Sequence, residues 1–258
     1  MFKEIDLSDF PESRKNNLEK LYRYGYFDVL FYRSNLWNHS YRVLWLLEEI
    51  APIAKKYLKI DMEKARALAL VHDDAEIITG DIPSQEKETR SLEKEETSMK
   101  EELKAINELE KIYPKKINGY SYRQLLLHSA KKDCIEAQLV SYVDKIDAFC
   151  ESLHEVYAGN IILMRSVVFY SRTIPFLPIK YPDLKPLLES KGSPLLDISG
   201  QISPDEIKAG KYKNLNKPHT KKSLQINTDF PFYKTWKQVL IKRGKTNWLI
   251  KQKEFLKD

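Results

Sequence analysis

From Leu18 to Tyr157 apolar side chains return every three or four positions, the repeat of α-helices that bury one face. A short amphipathic stretch at residues 17–24 comes first. Residues 40–58 follow, with Val43, Leu44, Leu47, Ile50 and Ile53 on one face, Asn38 or Ser40 as the cap, and Pro52 as a kink or division. Asp61 caps a third segment whose Ala65, Leu68, Ala69 and Val71 run into His72 and Asp73, and Gly80, Asp81 and Pro83 end it. Residues 86–112 form a long, heavily charged segment with a thin stripe of Leu92, Met99, Leu103, Ile106 and Leu109, which predicts a surface helix. Two further helices are predicted at 120–129 and 133–157, the second capped by Asp133 and apolar at Ile135, Leu139, Val143, Ile146 and Phe149.

Beyond Arg172 the pattern changes. Six prolines from Pro175 to Pro204, with Gly192, Gly200 and Gly210, leave no room for long helices, and only residues 232–256 regain a helical period, broken near Gly244. The expected fold is all-α: a helical domain at 1–172 and an irregular C-terminal extension at 173–258. Recurring apolar residues such as Phe176, Leu177, Leu187, Leu188, Leu195 and Leu196, and the costly exposure of Trp236 and Trp248, predict that the extension packs on the helical domain.

Composition then sets the class. The chain has 258 residues, 42% hydrophobic and 31% charged, which suits a folded soluble protein. No apolar signal core opens it and no run nears the ~20 residues of a membrane span, so a cytoplasmic protein without membrane attachment is expected. Cys134 and Cys150 form no CxxC and read as small core residues. The net charge of +6 is uneven. From Thr173 onward 17 Lys and Arg face 8 Asp and Glu, about +9, which leaves the first 172 residues near −3. Lys208, Lys211, Lys213, Lys217, Lys221 and Lys222, followed by aromatics, raise the alternative of a nucleic-acid surface, which is less favoured than packing.

Candidate chemistry concentrates in "LVHDDAEIITGDIPS", residues 70–84. At a helix end His72 and Glu76 are four apart and share a face, with Asp73 about 100° round. His39 at the start of one apolar helix and Asp144 inside another, flanked by Val140, Val143 and Ala148, complete a possible set of two His and two Asp. Imidazole with carboxylate suits Mn, Fe, Co, Ni or Zn, with Mg less favoured. Each residue also has an ordinary use: His39 as a cap, Asp144 paired with Lys145 or Arg123, and Glu76 with Asp81 as a plain helix end and turn.

Order and surroundings favour the metal. His39, then His72 with Asp73, then Asp144 in "LVSYVDKIDAF" resembles the H...HD...D signature of HD-domain metal-dependent phosphohydrolases. "HDDAEIITGDIPS" resembles the H-D-x-x-E-x-x-x-G-D-x-P segment of the 5'-deoxynucleotidase-like branch. "KEETSM" resembles its acidic helix, and "EAQLVSYVDKID" its E-A-x-x-V-x-x-x-D-K element. The resemblance implies a helical bundle holding one divalent ion through His39, His72, Asp73 and Asp144. It also implies Glu76 as the proton-transfer group and Asp81 as the residue that orients sugar or water. Where that branch carries Glu before its first His, "SNLWNHS" offers Ser34 and Asn38. Its upstream Arg and aromatic are matched by Arg23 with Tyr24, with Arg33 as competitor, and Trp37 is a candidate for stacking on a base.

The implied substrate is a nucleoside 5'-monophosphate, deoxy forms included, from which phosphate is released. A nucleoside triphosphate or signalling nucleotide is the alternative, and a non-enzymatic nucleic-acid-binding protein on the same scaffold the third. A homodimer is the expected assembly.

Overall fold

The computed structural model describes residues 2–24, 34–81, 92–157, 160–198 and 230–243. Most of these residues are helical, and the one sheet among them has two strands. Their described parts divide into two compact units. The first is drawn from residues 1–23, 34–51 and 59–141, the second from 24–33, 52–58 and 142–258. Two long helices, α2 (Leu36–Tyr57) and α7 (Ile135–Tyr157), contribute residues to both units.

In the first unit, α1 spans Glu12–Lys20, five residues earlier than the periodicity suggested. Pro11 stands at its N-cap with the β-region φ/ψ usual before a helix, and after Leu21 the chain turns extended, with Tyr22 bridged to Asn35. Helix α2 likewise starts before its expected cap. Asn35 Oδ1 accepts from the Asn38 amide at 2.9 Å, so Asn35 is the cap, and Ser40 sits inside the helix donating to the Leu36 carbonyl. Pro52 neither ends nor divides α2, which continues to Tyr57.

Helix α3 (Met62–Val71) is capped by Asp61, whose Oδ1 accepts from the Glu63 and Lys64 amides at 3.1 and 3.2 Å. Every residue from Ala65 to Val71 is buried, Arg66 included; it is held by Glu48 at 2.7 Å and Glu63 at 2.6 Å. Residues 72–75 form a turn, and the short α4 (Glu76–Thr79) follows. The charged α5 (Leu92–Ile112) is more than a surface helix: Ala105, Ile106 and Leu109 are buried, while Met99 and Leu103 are half-buried. Residues 86–91 of that expected segment lie outside the described residues.

Where a helix was expected from residue 120, a two-residue hairpin intervenes. Strands β1 (Lys116–Ile117) and β2 (Tyr120–Ser121) are joined by Asn118 and Gly119 at φ +49° and +86°, the mirror-image turn that an Asn-Gly pair adopts readily. Tyr120 Oη donates to Asp61 Oδ2 at 2.7 Å, tying the hairpin to the start of α3. Helix α6 (Tyr122–Lys131) follows, capped by Ser121, and α7 begins at Ile135.

The second unit is built on the C-terminal part of α7. It adds α8 (Met164–Thr173), α9 (Leu177–Lys180), α10 (Lys185–Ser190) and single turns of 3₁₀ helix, as the prolines require. Leu177, Leu187, Leu188, Leu195 and Leu196 are buried, but Phe176 is exposed. The last described helix, α11 (Pro231–Arg243), lies against α7: Phe232 stacks on Phe149, and Trp236 Nε1 donates to Asp147 Oδ1 at 2.7 Å with both side chains buried. Tyr233 Oη meets His154 Nδ1 at 2.8 Å. Trp248, the basic cluster from Lys208 to Lys222 and residues 244–256 lie outside the described residues. Among the described residues no helix is long and apolar enough to cross a membrane.

Candidate metal centre

Helix α3 explains why His72 is where it is. Its buried residues leave it no freedom to rotate, and it ends at Val71 with His72 as the C-cap. His72 Nδ1 lies 2.8 Å from the Ala69 carbonyl, an acceptor only, so Nδ1 carries the proton and Nε2 is left with its lone pair. Ser129 Oγ, from α6, donates to the His72 carbonyl at 3.0 Å.

Three side chains of the first unit converge there. His39 and His72 bring their Nε2 atoms within 3.3 Å, and Asp73 Oδ2 is 3.5 Å from the first and 3.3 Å from the second. Ligands about 2.0–2.1 Å from a tetrahedral ion are about 3.3–3.4 Å apart, so the triangle has the dimensions of one divalent metal's ligand set. The imidazoles are buried and the Asp73 carboxylate is 19% exposed.

His39 lies three residues inside α2 instead of opening it. Arg23 Nη1 donates to its Nδ1, which makes Nδ1 an acceptor. Ligation through Nε2 requires the opposite tautomer, so a metal held there would require the guanidinium to leave Nδ1.

The turn after α3 separates two adjacent aspartates. Asp73 projects to the cluster, whereas Asp74 turns into the core: Arg14 Nε and Nη2 donate to its two oxygens at 2.8 Å each, and Tyr122 Oη donates to Oδ2 at 2.8 Å. Arg14 also donates to the Leu70 carbonyl at 2.6 Å. Asp74 is thus a structural anchor and no candidate ligand. Burial works against the Arg14 charge, but Asp74 outweighs it and holds the guanidinium pKa above its ordinary value. Burial and the Asp74 charge likewise push the Tyr122 hydroxyl well above the usual tyrosine range, so it remains a donor. Sequence reading missed Arg14, Tyr122 and Ser129; "ESRKNN" around Arg14 reads as a solvated face.

Glu76 does not extend the helix of His72. Hydrogen bonds from Asp74 N to Val71 O and from Glu76 N to Asp73 O tighten the intervening turn, and Glu76 opens α4 half-buried. Gly80 follows at φ +78°, a left-handed conformation that glycine adopts freely, and Asp81 is half-exposed behind it. Asp144 lies in the middle of α7, half-buried, in the second unit. Trp37 is half-buried, 5.0 Å from the Tyr41 ring with the Arg14 and Lys15 cations over its face. Ser34 is buried, and Asn38 is half-exposed. Arg33 and Pro83 lie outside the described residues.

The chain is 30% identical over 129 residues to the 5'-deoxynucleotidase VP0926 of Vibrio parahaemolyticus, which is 49% of this chain and 65% of that one. It is 28% identical over 129 residues to the 5'-deoxynucleotidase YfbR of Escherichia coli, 49% of this chain and 63% of that one. The matched region spans less than two thirds of either relative. Among solved structures, the PH0347 protein of Pyrococcus horikoshii aligns with TM-score 0.53 at 25% identity over 69% of this chain and 95% of its own. An HD-domain phosphohydrolase of Listeria innocua shares the fold with TM-score 0.51 at 22% identity, over 70% and 89%. The 5'-deoxynucleotidase YfbR-like family model matches residues 15–166, a stretch that holds the whole His39, His72, Asp73 and Asp144 pattern and more than half the chain. The chain belongs to that family.

Proposed function

We propose that this chain is a metal-dependent phosphohydrolase that releases phosphate from nucleoside 5'-monophosphates, deoxyribonucleotides among them. The observation that carries the reading is the triangle of His39, His72 and Asp73 at 3.3–3.5 Å, at the end of a buried helix, in a member of the YfbR-like family. The relatives named 5'-deoxynucleotidase support the substrate class.

In this reading Asp144 joins the three as the fourth ligand of one divalent transition ion: Mn, Co, Fe, Ni or Zn, with Mg less suited to two imidazoles. Such an ion acidifies water and offsets charge on a phosphoryl group. Glu76, half-buried one tight turn after Asp73, takes and returns the proton as water attacks phosphorus and the sugar oxygen leaves. Asp81, set behind the left-handed Gly80, orients the sugar or the water. Arg23 leaves His39 Nδ1 to pair with the phosphate, so substrate anion and metal ligation both favour the same move of one guanidinium. Arg33 and Trp37 are the further candidates for phosphate and base. A homodimer remains the assembly we expect.

The test is product release from nucleoside mono-, di- and triphosphates with Mn, Co, Zn and Mg in turn. Inorganic phosphate should come from monophosphates fastest. Tripolyphosphate released from a triphosphate faster than phosphate from any monophosphate would replace this reading with a triphosphohydrolase.

A further inference from the structure

The corner between α6 and α7 holds a second cluster of ligating side chains. His128 lies in the last turn of α6. Lys132 then takes the left-handed conformation at φ +54°, and the reversed chain presents Asp133 and Cys134 just ahead of Ile135. One ligand atom from each of His128, Asp133 and Cys134 lies within 4.8 Å of the other two. His128 Nδ1 is 2.5 Å from Asp133 Oδ1, and their side chains are 26% and 46% exposed. Cys134 is half-buried, unlike Cys150, which is fully buried.

Cys134 caps α7, its sulfur accepting the Ala137 amide, but a helix cap does not account for Asp133. Asp133 was expected to cap α7, yet its carboxylate is turned to His128; that hydrogen bond holds its pKa below the ordinary carboxylate range. One nitrogen, one oxygen and one sulfur on a single tight corner need no long loop closure to be brought together.

We propose that His128, Asp133 and Cys134 form a second metal site, separate from the His39 cluster, that takes a borderline divalent ion such as Zn²⁺ or Co²⁺ and keeps one position open to solvent. A thiolate with an imidazole disfavours Mg, Ca and Mn. Opening the His128–Asp133 contact by under ~1 Å brings that nitrogen and oxygen to the ~3.3 Å spacing of a tetrahedral set, and the Cys134 sulfur lies within 4.8 Å of both. Binding displaces the Cys134 thiol proton to solvent. Lys64, which approaches Cys134, has Glu136 Oε2 as its acceptor at 3.2 Å when the ion takes the sulfur. The proposal does not depend on the reaction assigned above.

Cobalt separates the two sites because only this one contains sulfur. In the metal-stripped full-length protein, titration with Co²⁺ should raise a near-ultraviolet thiolate-to-cobalt charge-transfer band. Cys134→Ser should abolish the band with the helical circular dichroism unchanged. His128→Asn, which keeps the thiol, should weaken cobalt binding at this site by at least roughly tenfold, since even outer-shell losses cost ~10–100-fold. His72→Ala should keep the band. Absence of the band at saturating Co²⁺ in the wild-type chain, or an undiminished band in Cys134→Ser, would overturn the proposal.

Discussion

Neighbouring aspartates in the turn after α3 divide two tasks, and substitutions should tell them apart. In a Cys134→Ser background, Asp73→Ala or His72→Ala removes a corner of the 3.3–3.5 Å triangle, so metal analysis of the purified protein should find nearly all the ion gone with the fold kept. Full stoichiometric metal in Asp73→Ala with Cys134→Ser would mean the site lies elsewhere. Asp74→Ala strips a buried guanidinium of its bidentate partner, a change worth about 3–5 kcal/mol, and should appear in denaturant unfolding. Glu76→Gln should retain ion and stability while turnover falls by roughly 10²–10⁴. Sequence made His72, Asp73 and Glu76 legible because a charged cluster interrupts an apolar helix. It could not show that Asp74 faces the other way. That depends on Arg14, which arrives from 60 residues earlier on a helix whose sequence looks solvated.

Helix interiors were easier to read than helix ends. Val43, Leu44, Leu47 and Ile50 of α2 and Leu139, Val143, Ile146 and Phe149 of α7 are buried as the 3.6-residue period predicts, whereas the starts of these two helices were set by side chains that competed for the same role. Asn35 capped α2 in place of Asn38 or Ser40, and Asp133 paired with His128 instead of capping α7. The Asn118–Gly119 hairpin was passed over for a different reason: its strands are two residues long, too short for any alternation to register, although the Asn-Gly turn signal itself was present. Asp61 is the cap that was read correctly, and it carries a prediction. Burial opposes its charge, but the Tyr120 hydroxyl and the Lys64 and Glu63 amides outweigh burial and hold its pKa below the ordinary value. The stabilisation is therefore complete above the unfolded pKa near 4 and is lost as pH falls through the lower folded value. Asp61→Ala should cost about 0.5–2 kcal/mol at neutral pH, with the gap to wild type closing in acid. A gap that stays constant down to pH 2 would remove Asp61 ionisation from the account.

For the molecule as a whole, the second unit sets the stakes of the C-terminal region. Trp236→Ala empties the space over α7 and takes the indole donor from the buried Asp147 carboxylate; about 3–5 kcal/mol of stability should be lost. Truncation near Arg172 removes Phe232 and Tyr233 as well, so the shortened chain should melt lower or aggregate. A truncated chain that melts like the full one, together with DNA binding whose slope against log salt grows by about 0.9 per phosphate contact, would instead assign this region to nucleic acid. That contest was visible in the sequence, where a lysine cluster is followed by aromatics, but composition alone does not say which aromatic is buried.

The second unit is also assembled from stretches far apart in the chain: Ile53, in the final turns of α2, lies against Gly192. During synthesis the last turns of α2 leave the ribosome long before the residues that cover them exist, and Trp236 later still. At roughly 5–20 residues per second, an apolar face waits on the order of ten seconds for its partner. A nascent chain stalled at residue 157 should therefore hold a protease-resistant α3 while residues 52–58 stay open to cleavage. A growing cell at elevated temperature would feel the Trp236→Ala change first as fewer finished molecules, before any loss in the rate of those that are finished.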